Sequence, residues 1–529
     1  MRPQQTESTS QTQIPAKAER SLDPAFRDSI IVSVIGAGFY LALLAADYDS
    51  NGIVIARRVE VAYVASPNHM LFELTGVVLM RLAALFGRKG PVFPMLLVLA
   101  AVYGGLALGA ANVAARRLGA SRLEALTAVV WLGTTYAFWR WSTNVAYVSA
   151  GAMFAASAVA LIWGRKSAAI LVMTGILGAC SALAWQGNVF LFPVLIAGVF
   201  LQPASWPDRA RETKYIFTSY ALTLAVAYAG MVYQSGFRDA ARILKWMTSY
   251  GGGGGPDWGH WGWSRIGNLA ETWIHSCIGS ITLVPAWFLS HPVRLNTVFP
   301  RLAPLALLAF FGLPLGVLFR RWKDSQALFC LFGIAAYLPF IVWWDPFETK
   351  WMLIPDLFLA LCVARCWSYL NVKFRLPSRL LMFTATGVLG VSNLVSLGLP
   401  QHHESKVQEA GECVGSHLRT ADIYLSPEWD FGAFISQKYS IDSMDLIGRT
   451  VEVQFDKTRT FQAIVAEVRK HQASGGDAYI PDPLSRHFEL LERWAGITSS
   501  DLDHLLPGQV AYRCGQWSIR KIERLKEDR

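Results

Sequence analysis

Two aspartates stand one residue apart directly after the first long apolar run of the sequence, in the segment AADYDSNGIVIARR. Carboxylates at the spacing of Asp47 and Asp49 could share a divalent cation, or one could serve as a general base while the other tunes it. The alternative for these local residues is a solvated helix end. We call residues 47–49 the acidic motif, and it is the first candidate site.

A second polar group follows the acidic motif. Arg57 and Arg58 are the next cations, and SPNHMLFEL then places His69 and Glu73 four residues apart, which puts both on one face of a helix. The functional interpretation is that His69 and Glu73 line the same cavity as the acidic motif. The alternative is that both side chains are simply hydrated.

Three further segments carry isolated polar residues among aromatic ones. FWRWSTN contains Arg140, WDPFETKW contains Glu348 and Lys350, and SYGGGGGPDWGHWGW contains His260. Arg140 and Lys350 could contact phosphate, and His260 lies in a glycine-rich loop that could cover a site. The alternatives are a snorkelling arginine, an interfacial anchor in an aromatic belt and a loop without chemistry. The sequence has no Walker, Rossmann or Ser-His-Asp pattern, which argues against a nucleotide hydrolase.

The composition indicates what must position these residues. Of 529 residues, 53% are hydrophobic and 16% are charged, against about 25% charged in soluble domains. Uncharged runs long enough to cross a bilayer recur along most of the length, so the sequence predicts an α-helical polytopic membrane protein. The net charge of +10 is concentrated between the apolar runs, where membrane topology explains it without a nucleic-acid partner.

Eleven crossing helices are predicted from the apolar runs. They span residues 29–46, 91–115, 123–138, 145–164, 167–184, 189–203, 215–233, 302–319, 326–344, 351–370 and 380–400. The runs at 69–86 and 269–290 are ambiguous, and we expect 69–86 to be a helix along the membrane surface. Residues 1–28 are expected to be a disordered cytoplasmic segment and 29–400 the transmembrane domain.

The distribution of basic residues predicts which loops are outside. With neither ambiguous run crossing, the inside loops hold 15 Lys and Arg in 41 residues, and the outside loops hold 13 in 128. This is the direction that the positive-inside rule requires. The acidic motif then begins a first outer loop at 47–90, and the glycine-rich segment belongs to a flexible outer loop at 234–301.

The tail at 401–529 is different in composition and is expected to be a small extracytoplasmic α/β domain. DIYLSPEWD and DAYIPDP predict short strands, whereas TFQAIVAEVRKHQ and RHFELLERWAG have the spacing of amphipathic helices. Cys413 and Cys514 are the only cysteines in the tail and could pair in an oxidising compartment.

The arrangement resembles the GT-C-type membrane glycosyltransferases, within which it is most similar to relatives of the protein mannosyltransferases and aminoarabinose transferases. DYDSNGIVIA matches the Asp-containing start of that family's first outer loop. SPNHMLFEL is similar to the family's HPPL or HPHHLLY segment, with Ser and Asn replacing two of its usual residues. The resemblance covers residues 29–400 in architecture, and motif-level detail is confined to its start.

The resemblance implies a transferase that takes a sugar from a polyprenyl-phosphate carrier at the non-cytoplasmic face. It implies Asp49 as general base and Asp47 as helper or as ligand to a divalent cation, Mg or Mn. The other implied substrate-binding residues are the phosphate-neutralising Arg57, Arg58, Arg140 and Lys350, together with His69, Glu73, His260 and Glu348. The partners implied are the lipid bilayer, the lipid-linked sugar donor and an acceptor that is a lipid, a glycan or a protein.

Two other classes of function stay open from the sequence. A polytopic transporter or flippase would carry ionisable residues in mid-membrane, and Asp356 is the clearest interior charge in the predicted spans. A non-catalytic scaffold with a partner-binding tail is the third class. The absence of glycosylation sequons and organelle signals favours a bacterial inner membrane.

Overall fold

The computed structural model describes most of the chain. The described residues are 24–46, 50–62, 66–87, 92–164, 166–247, 259–279, 295–321, 323–399, 402, 406–427, 429–453, 456–482, 488–515 and 517–525. The acidic motif lies outside these residues, as does most of the glycine-rich segment.

The amino-terminal three quarters of the chain are helical. The helices are α1 (Pro24–Ala42), α2 (Ser50–Glu60), α3 (Met70–Leu85), α4 (Val92–Arg117), α5 (Arg122–Thr134), α6 (Tyr136–Thr143), α7 (Val148–Ile162), α8 (Ala168–Ala184), α9 (Leu191–Phe200), α10 (Trp206–Ser235), α11 (Ala240–Met247), α12 (Trp263–Cys277), α13 (Leu295–Arg320), α14 (Ser325–Trp344) and α15 (Leu353–Asn393). The helix α15 consists of two helical halves joined by a kink at Arg375, whose backbone is not helical. Short 3₁₀ helices at Gln186–Phe190 and Thr349–Met352 precede α9 and α15.

Within the described residues, six helices are long and apolar enough to cross a membrane. The pair α6 and α7 would add a seventh as one span bent by 118°, and α8 and the helical stretch Gln186–Phe200 are shorter apolar helices. The predicted span at 123–138 is interrupted at Thr135, because this residue is extended and its hydroxyl caps α6 by accepting a bond from the Phe138 amide. The predicted total of eleven crossings stays a prediction.

The helices give the bundle two polar ends. We call the end where α1, α5 and α14 finish the motif end, because α1 leads into the acidic motif there. At the opposite end, ion pairs join neighbouring helices: Asp28 to Arg122 at 2.7 Å and Lys166 to Glu212 at 2.5 Å. Between the two ends, α1 and α4 pack closely, since a Cβ on Gly105 would lie 2.5 Å from the Ala37 amide nitrogen.

The tail folds around a five-stranded sheet. Its elements are α16 (Lys406–His417), β1 (Ile423–Ser426), α17 (Trp429–Tyr439), β2 (Asp442–Asp445), α18 (Leu446–Glu452), α19 (Lys457–Ala473), β3 (Ala478–Asp482), α20 (Phe488–Ala495), α21 (Ser499–Leu505), β4 (Gly508–Cys514) and β5 (Trp517–Ile522). The strand order is β2-β1-β3-β5-β4, with β2, β1 and β3 parallel and β5 and β4 antiparallel. The small α/β domain predicted for the tail is therefore present, and we call it the tail domain.

A disulfide joins two ends of the tail domain. Cys413 in α16 and Cys514 in β4 are bonded across 101 residues. Cross-linking residues this far apart restricts the unfolded chain strongly. The bond therefore ties the helix that follows the membrane bundle to the edge strand of the sheet.

Candidate functional site

The chain on both sides of the acidic motif lies against one corner of the bundle. The Ala45 amide donates to the Thr143 carbonyl at 3.1 Å. A Cβ on Gly52 would lie 2.8 Å from the Cβ of Val145, so α2 begins in direct contact with the same corner. This corner, between α6 and α7, therefore adjoins both flanks of the motif.

A buried charged group lies on α2 and α3. The Glu73 carboxylate is fully buried, and its Oε1 atom lies 3.0 Å from Arg58 Nη1 and 2.9 Å from His69 Nδ1. The His69 ring stacks on Tyr147 of the same corner, with ring centroids 4.7 Å apart. Arg58 pairs with the Glu73 carboxylate in this structure, and its contact with a phosphate stays a prediction.

The segment before α3 is held from several directions. The Asn68 carbonyl accepts from the Gln186 amide at 3.0 Å, and the Tyr228 hydroxyl donates to the Pro67 carbonyl at 3.4 Å. Residues 66–70 are all buried. The alternative that His69 and Glu73 are merely hydrated is therefore wrong, because a buried ionic group must have partners.

A cationic cluster forms where α6 meets the loop before α15. The Arg140 guanidinium carbon lies 5.2 Å from the centre of the Trp141 ring, and Lys350 Nζ lies 5.6 Å from the same ring. Arg140 donates to the Tyr136 hydroxyl at 2.6 Å, and Lys350 lies 3.2 Å from Glu348. Three residues singled out in two separate sequence segments thus come together; we call Arg140 and Lys350 the cationic pair.

The two carboxyls of this loop differ in their electrostatic environment. Burial alone would raise the pKa of Glu348, but Lys350 and then Arg140 overcome it and hold that pKa below its ordinary value. The pKa of Asp345 is raised, first by burial and then by the charge of Glu348. Because Glu348 stays ionised, it can hold Lys350 in place beside Arg140.

Arg265 of α12 was not predicted and fixes the same loop. Its guanidinium is buried and donates to the carbonyls of Val342, Trp343 and Trp344 at 2.7, 3.3 and 2.9 Å. These carbonyls end α14, where cations are stabilised by the helix dipole. His260 is exposed and lies 3.3 Å from Arg265, so it borders the site through Arg265. A single arginine in a glycine- and tryptophan-rich segment gave no sign of this contact.

The tail domain contacts the helix that follows the acidic motif. Arg57 donates to the hydroxyl of Ser436 in α17, and His402 lies 2.7 Å from the Leu44 carbonyl at the end of α1. Arg57, proposed as a phosphate ligand, is thus engaged with the tail domain in this structure. The sequence held no signal for a contact between residues this far apart in the chain.

An apolar groove runs along one side of the bundle. Its volume is about 460 Å³, and α1, α5, α6 and the second half of α15 form its walls. Its lining includes Phe39, Leu126, Val130, Trp139 and Val391. Trp139 immediately precedes Arg140, so the groove reaches the helix that carries one member of the cationic pair.

The described residues do not by themselves form a fitting site for the divalent cation. Cys413, His417 and Cys514 are the one group with suitable spacing in the described parts of the chain. The two sulfur atoms are bonded to each other, and a disulfide is not the thiolate that metals bind. Glu73 Oε2 is buried without a hydrogen-bond partner among described residues, but Arg58 already neutralises its carboxylate.

Comparison with known proteins gives no match in sequence and several in structure. No protein-family model and no curated protein matches the chain. ArnT from Cupriavidus metallidurans bound to undecaprenyl phosphate is similar with a TM-score of 0.54 and 9% identity, over 94% of this chain and 97% of that one. AglB, the oligosaccharyltransferase of Archaeoglobus fulgidus, in complex with an inhibitory peptide and a dolichol-phosphate, has a TM-score of 0.52 and 10% identity, over 93% and 74%. The Archaeoglobus fulgidus oligosaccharyltransferase in complex with Zn and sulfate has a TM-score of 0.54 and 11% identity, over 90% and 70%.

These similarities show that the chain has the fold of the GT-C glycosyltransferases. The resemblance read from the acidic motif and the SPNHMLFEL segment is confirmed at the level of the fold. With its several membrane-capable helices, the chain is a multi-pass integral membrane protein.

Proposed function

We propose that the protein is a membrane glycosyltransferase that moves a sugar from a polyprenyl-phosphate-linked donor to an acceptor at the non-cytoplasmic face. One observation carries this proposal: both flanks of the acidic motif lie against the corner that follows α6, and α6 contributes Arg140 to the cationic pair. A base for the acceptor and cations for the departing phosphate are thus supplied by adjoining elements.

The donor fits the polar and apolar parts of the site. Its phosphate would lie at Arg140 and Lys350, since charged hydrogen bonds from both suit phosphate oxygens. Its isoprenoid chain would lie in the groove beside Trp139. The similar ArnT and AglB structures hold undecaprenyl phosphate and dolichol-phosphate, which supports a lipid carrier of this class.

The proposed reaction is one displacement at the anomeric carbon. Asp49 accepts the proton of the acceptor hydroxyl, whose oxygen bonds to the anomeric carbon while the bond from that carbon to the phosphate oxygen breaks. The phosphate leaves with the electron pair and is stabilised by Arg140 and Lys350. Asp47 supports the base, and Asp47 and Asp49 are the residues that would hold a divalent cation if one assists the phosphate. The group of Arg58, His69 and Glu73 holds α2 against the start of α3.

The disulfide supports the sidedness of this proposal. Disulfides persist in oxidising compartments outside the cytosol, and the bond between Cys413 and Cys514 lies in the tail domain. The tail domain contacts α2 and the end of α1, so it lies at the motif end. This supports our proposal that the motif end lies outside the cytoplasm; the bacterial inner membrane is likewise a proposal.

One proteoliposome experiment tests both the proposed transferase and the transporter alternative. Full-length protein in proteoliposomes, given a panel of polyprenyl-phosphate sugars and candidate acceptors, is expected to release free polyprenyl phosphate with each sugar transferred. Movement of the intact sugar-lipid across the bilayer without cleavage of its glycosyl-phosphate bond would identify a flippase. Asp356, the interior charge that motivated the transporter hypothesis, accepts a bond from Trp273 at 2.9 Å and so holds α12 to α15.

Loss of the contact between Arg57 and Ser436 is expected to loosen α2. We expect Ser436→Ala to speed amide exchange in α2 and α17 about fivefold, because a partly exposed bond to a charged group contributes about 1 kcal/mol. Hydrogen-exchange mass spectrometry of the full-length protein measures this. The control is Ser416→Ala on α16. Among the described residues, the Ser416 hydroxyl donates to the Cys413 carbonyl and lies 3.3 Å from His417 Nδ1, both within the same helix. Unchanged exchange in both helices would show that this contact does not hold the tail domain on α2.

A further inference from the structure

A cationic pocket lies at the end of the bundle opposite the motif end. It occupies the turn between α13 and α14 and has a volume of about 280 Å³. Arg320, Arg321, Lys323 and Asp324 line it. Because α13 and α14 both contain candidate spans, this turn lies where a membrane surface meets water.

The one carboxylate of the pocket is already satisfied by the protein. Asp324 Oδ1 accepts from the Gln326 and Ala327 amides at 3.1 and 2.9 Å, which caps α14. Its Oδ2 accepts from the Tyr369 hydroxyl at 2.5 Å and from Arg365 at 3.2 Å. The charge of Asp324 is therefore balanced by Arg365, and the three other lining residues leave the pocket with an excess of positive charge.

Most other cations at this end hold the bundle together. Arg116 and Arg117 donate to the carbonyls of Ala120 and Ala160 at 3.0 and 2.6 Å, and Arg122 pairs with Asp28. Arg320 is exposed, and among the described residues it has no ion pair or hydrogen bond for its side chain. A role in membrane topology explains its charge but not its position in a pocket.

A stacking arrangement positions the guanidinium of Arg321. It lies 4.0 Å from the centre of the Tyr369 ring, and Arg365 lies 4.5 Å from the same ring. Stacking uses the face of a guanidinium and leaves its in-plane N–H groups directed outward. Arg321 is thus held in a geometry that suits bidentate binding of phosphate.

We propose that this pocket binds the phosphate headgroup of an anionic phospholipid. Phe319, which directly precedes Arg320, is 80% exposed and offers an apolar surface, as acyl chains would require. Basic pockets between membrane helices are suited to such headgroups. The site lies outside the proposed transferase site, and the inference does not depend on that function.

The test is lipid binding by the full-length protein in a neutral detergent. Phosphatidylglycerol should raise the thermal unfolding temperature and should be retained in native mass spectrometry, whereas phosphatidylcholine should do neither. Arg320→Ala with Arg321→Ala should weaken phosphatidylglycerol binding about 30-fold, because each basic residue near an anionic surface contributes about a fivefold factor. The matched control is Arg211→Ala with Lys214→Ala, which removes two exposed cations of α10 and should leave binding unchanged.

Three results would overturn the proposal. These are equal binding of both lipids, unchanged phosphatidylglycerol binding in the Arg320 and Arg321 variant, and equal stabilisation by inorganic phosphate at the same concentration, which would indicate a site for free anions. If the double variant does not fold, Arg320→Gln alone decides, since that side chain makes no internal ion pair in the described structure and its replacement should still weaken binding severalfold.

Discussion

Replacing Asp49 by asparagine is expected to lower the rate of sugar transfer by about 10²–10⁴-fold, the usual contribution of a general base. Asparagine keeps the shape of the side chain but cannot accept the proton of the acceptor hydroxyl. Transfer from a polyprenyl-phosphate sugar by the purified full-length protein measures the effect. The dissociation constant for polyprenyl phosphate should change little, because the base acts on the acceptor.

Two controls separate the role of Asp49 from a general effect of lost charge. Asp208→Asn removes a carboxylate that pairs with Arg211 at the opposite end, and it should leave transfer unchanged. Asp47→Asn should reduce transfer less than Asp49→Asn if Asp47 only supports the base. Wild-type rates in both Asp49→Asn and Asp47→Asn would show that the acidic motif does not carry the chemistry.

Removal of the cationic pair is expected to weaken binding of polyprenyl phosphate by at least about 100-fold. Hydrogen bonds to charged groups contribute about 1.5–3 kcal/mol each, so loss of two corresponds to about 3–6 kcal/mol. The variant is Arg140→Ala with Lys350→Ala, and isothermal titration or native mass spectrometry with polyprenyl phosphate measures the affinity. Transfer should fall further than affinity, because charge on the phosphate increases as it departs.

The design of this experiment distinguishes charge from geometry. Arg140→Lys keeps the positive charge but loses the planar guanidinium. It should bind polyprenyl phosphate more tightly than Arg140→Ala but less tightly than the wild type. Phe347→Ala, which removes an exposed side chain of the same loop, is the matched control and should bind as the wild type does. If the double variant retains wild-type affinity, the phosphate binds elsewhere and the proposed donor site is wrong.

The parts of the fold that follow from local pattern were predictable. Alternation and turn residues placed strands at DIYLS and DAYIPD, and these are β1 and β3. The helical spacing in SPNHMLFEL predicted that His69 and Glu73 lie on one face, and in the structure His69 Nδ1 lies 2.9 Å from Glu73 Oε1. Hydropathy identified the bundle, because burial in lipid requires long apolar runs whatever the fold.

The parts that depend on long-range packing were not predictable. Thr135 follows another threonine, Thr134, in a mostly apolar run, and only the structure shows that its hydroxyl caps α6. Arg57 and Arg58 are neighbours with equal charge, but one binds Ser436 of the tail domain and the other binds Glu73. Which partner an arginine finds is decided by how distant segments pack, and spacing in one sequence carries no record of that.

The proposed function is tested most directly by determining on which side of the membrane the motif end lies. In a Cys180→Ser background the four other free cysteines are buried and the tail disulfide leaves no thiol there. Val61, just after α2, is 72% exposed, so Val61→Cys places a thiol in an exposed position. Ala210→Cys places another at an exposed position of α10 at the opposite end. In intact cells, a membrane-impermeant maleimide is expected to label position 61 and to label position 210 only after permeabilisation. Labelling of position 210 alone in intact cells would show that the motif end faces the cytoplasm and would contradict the proposed function.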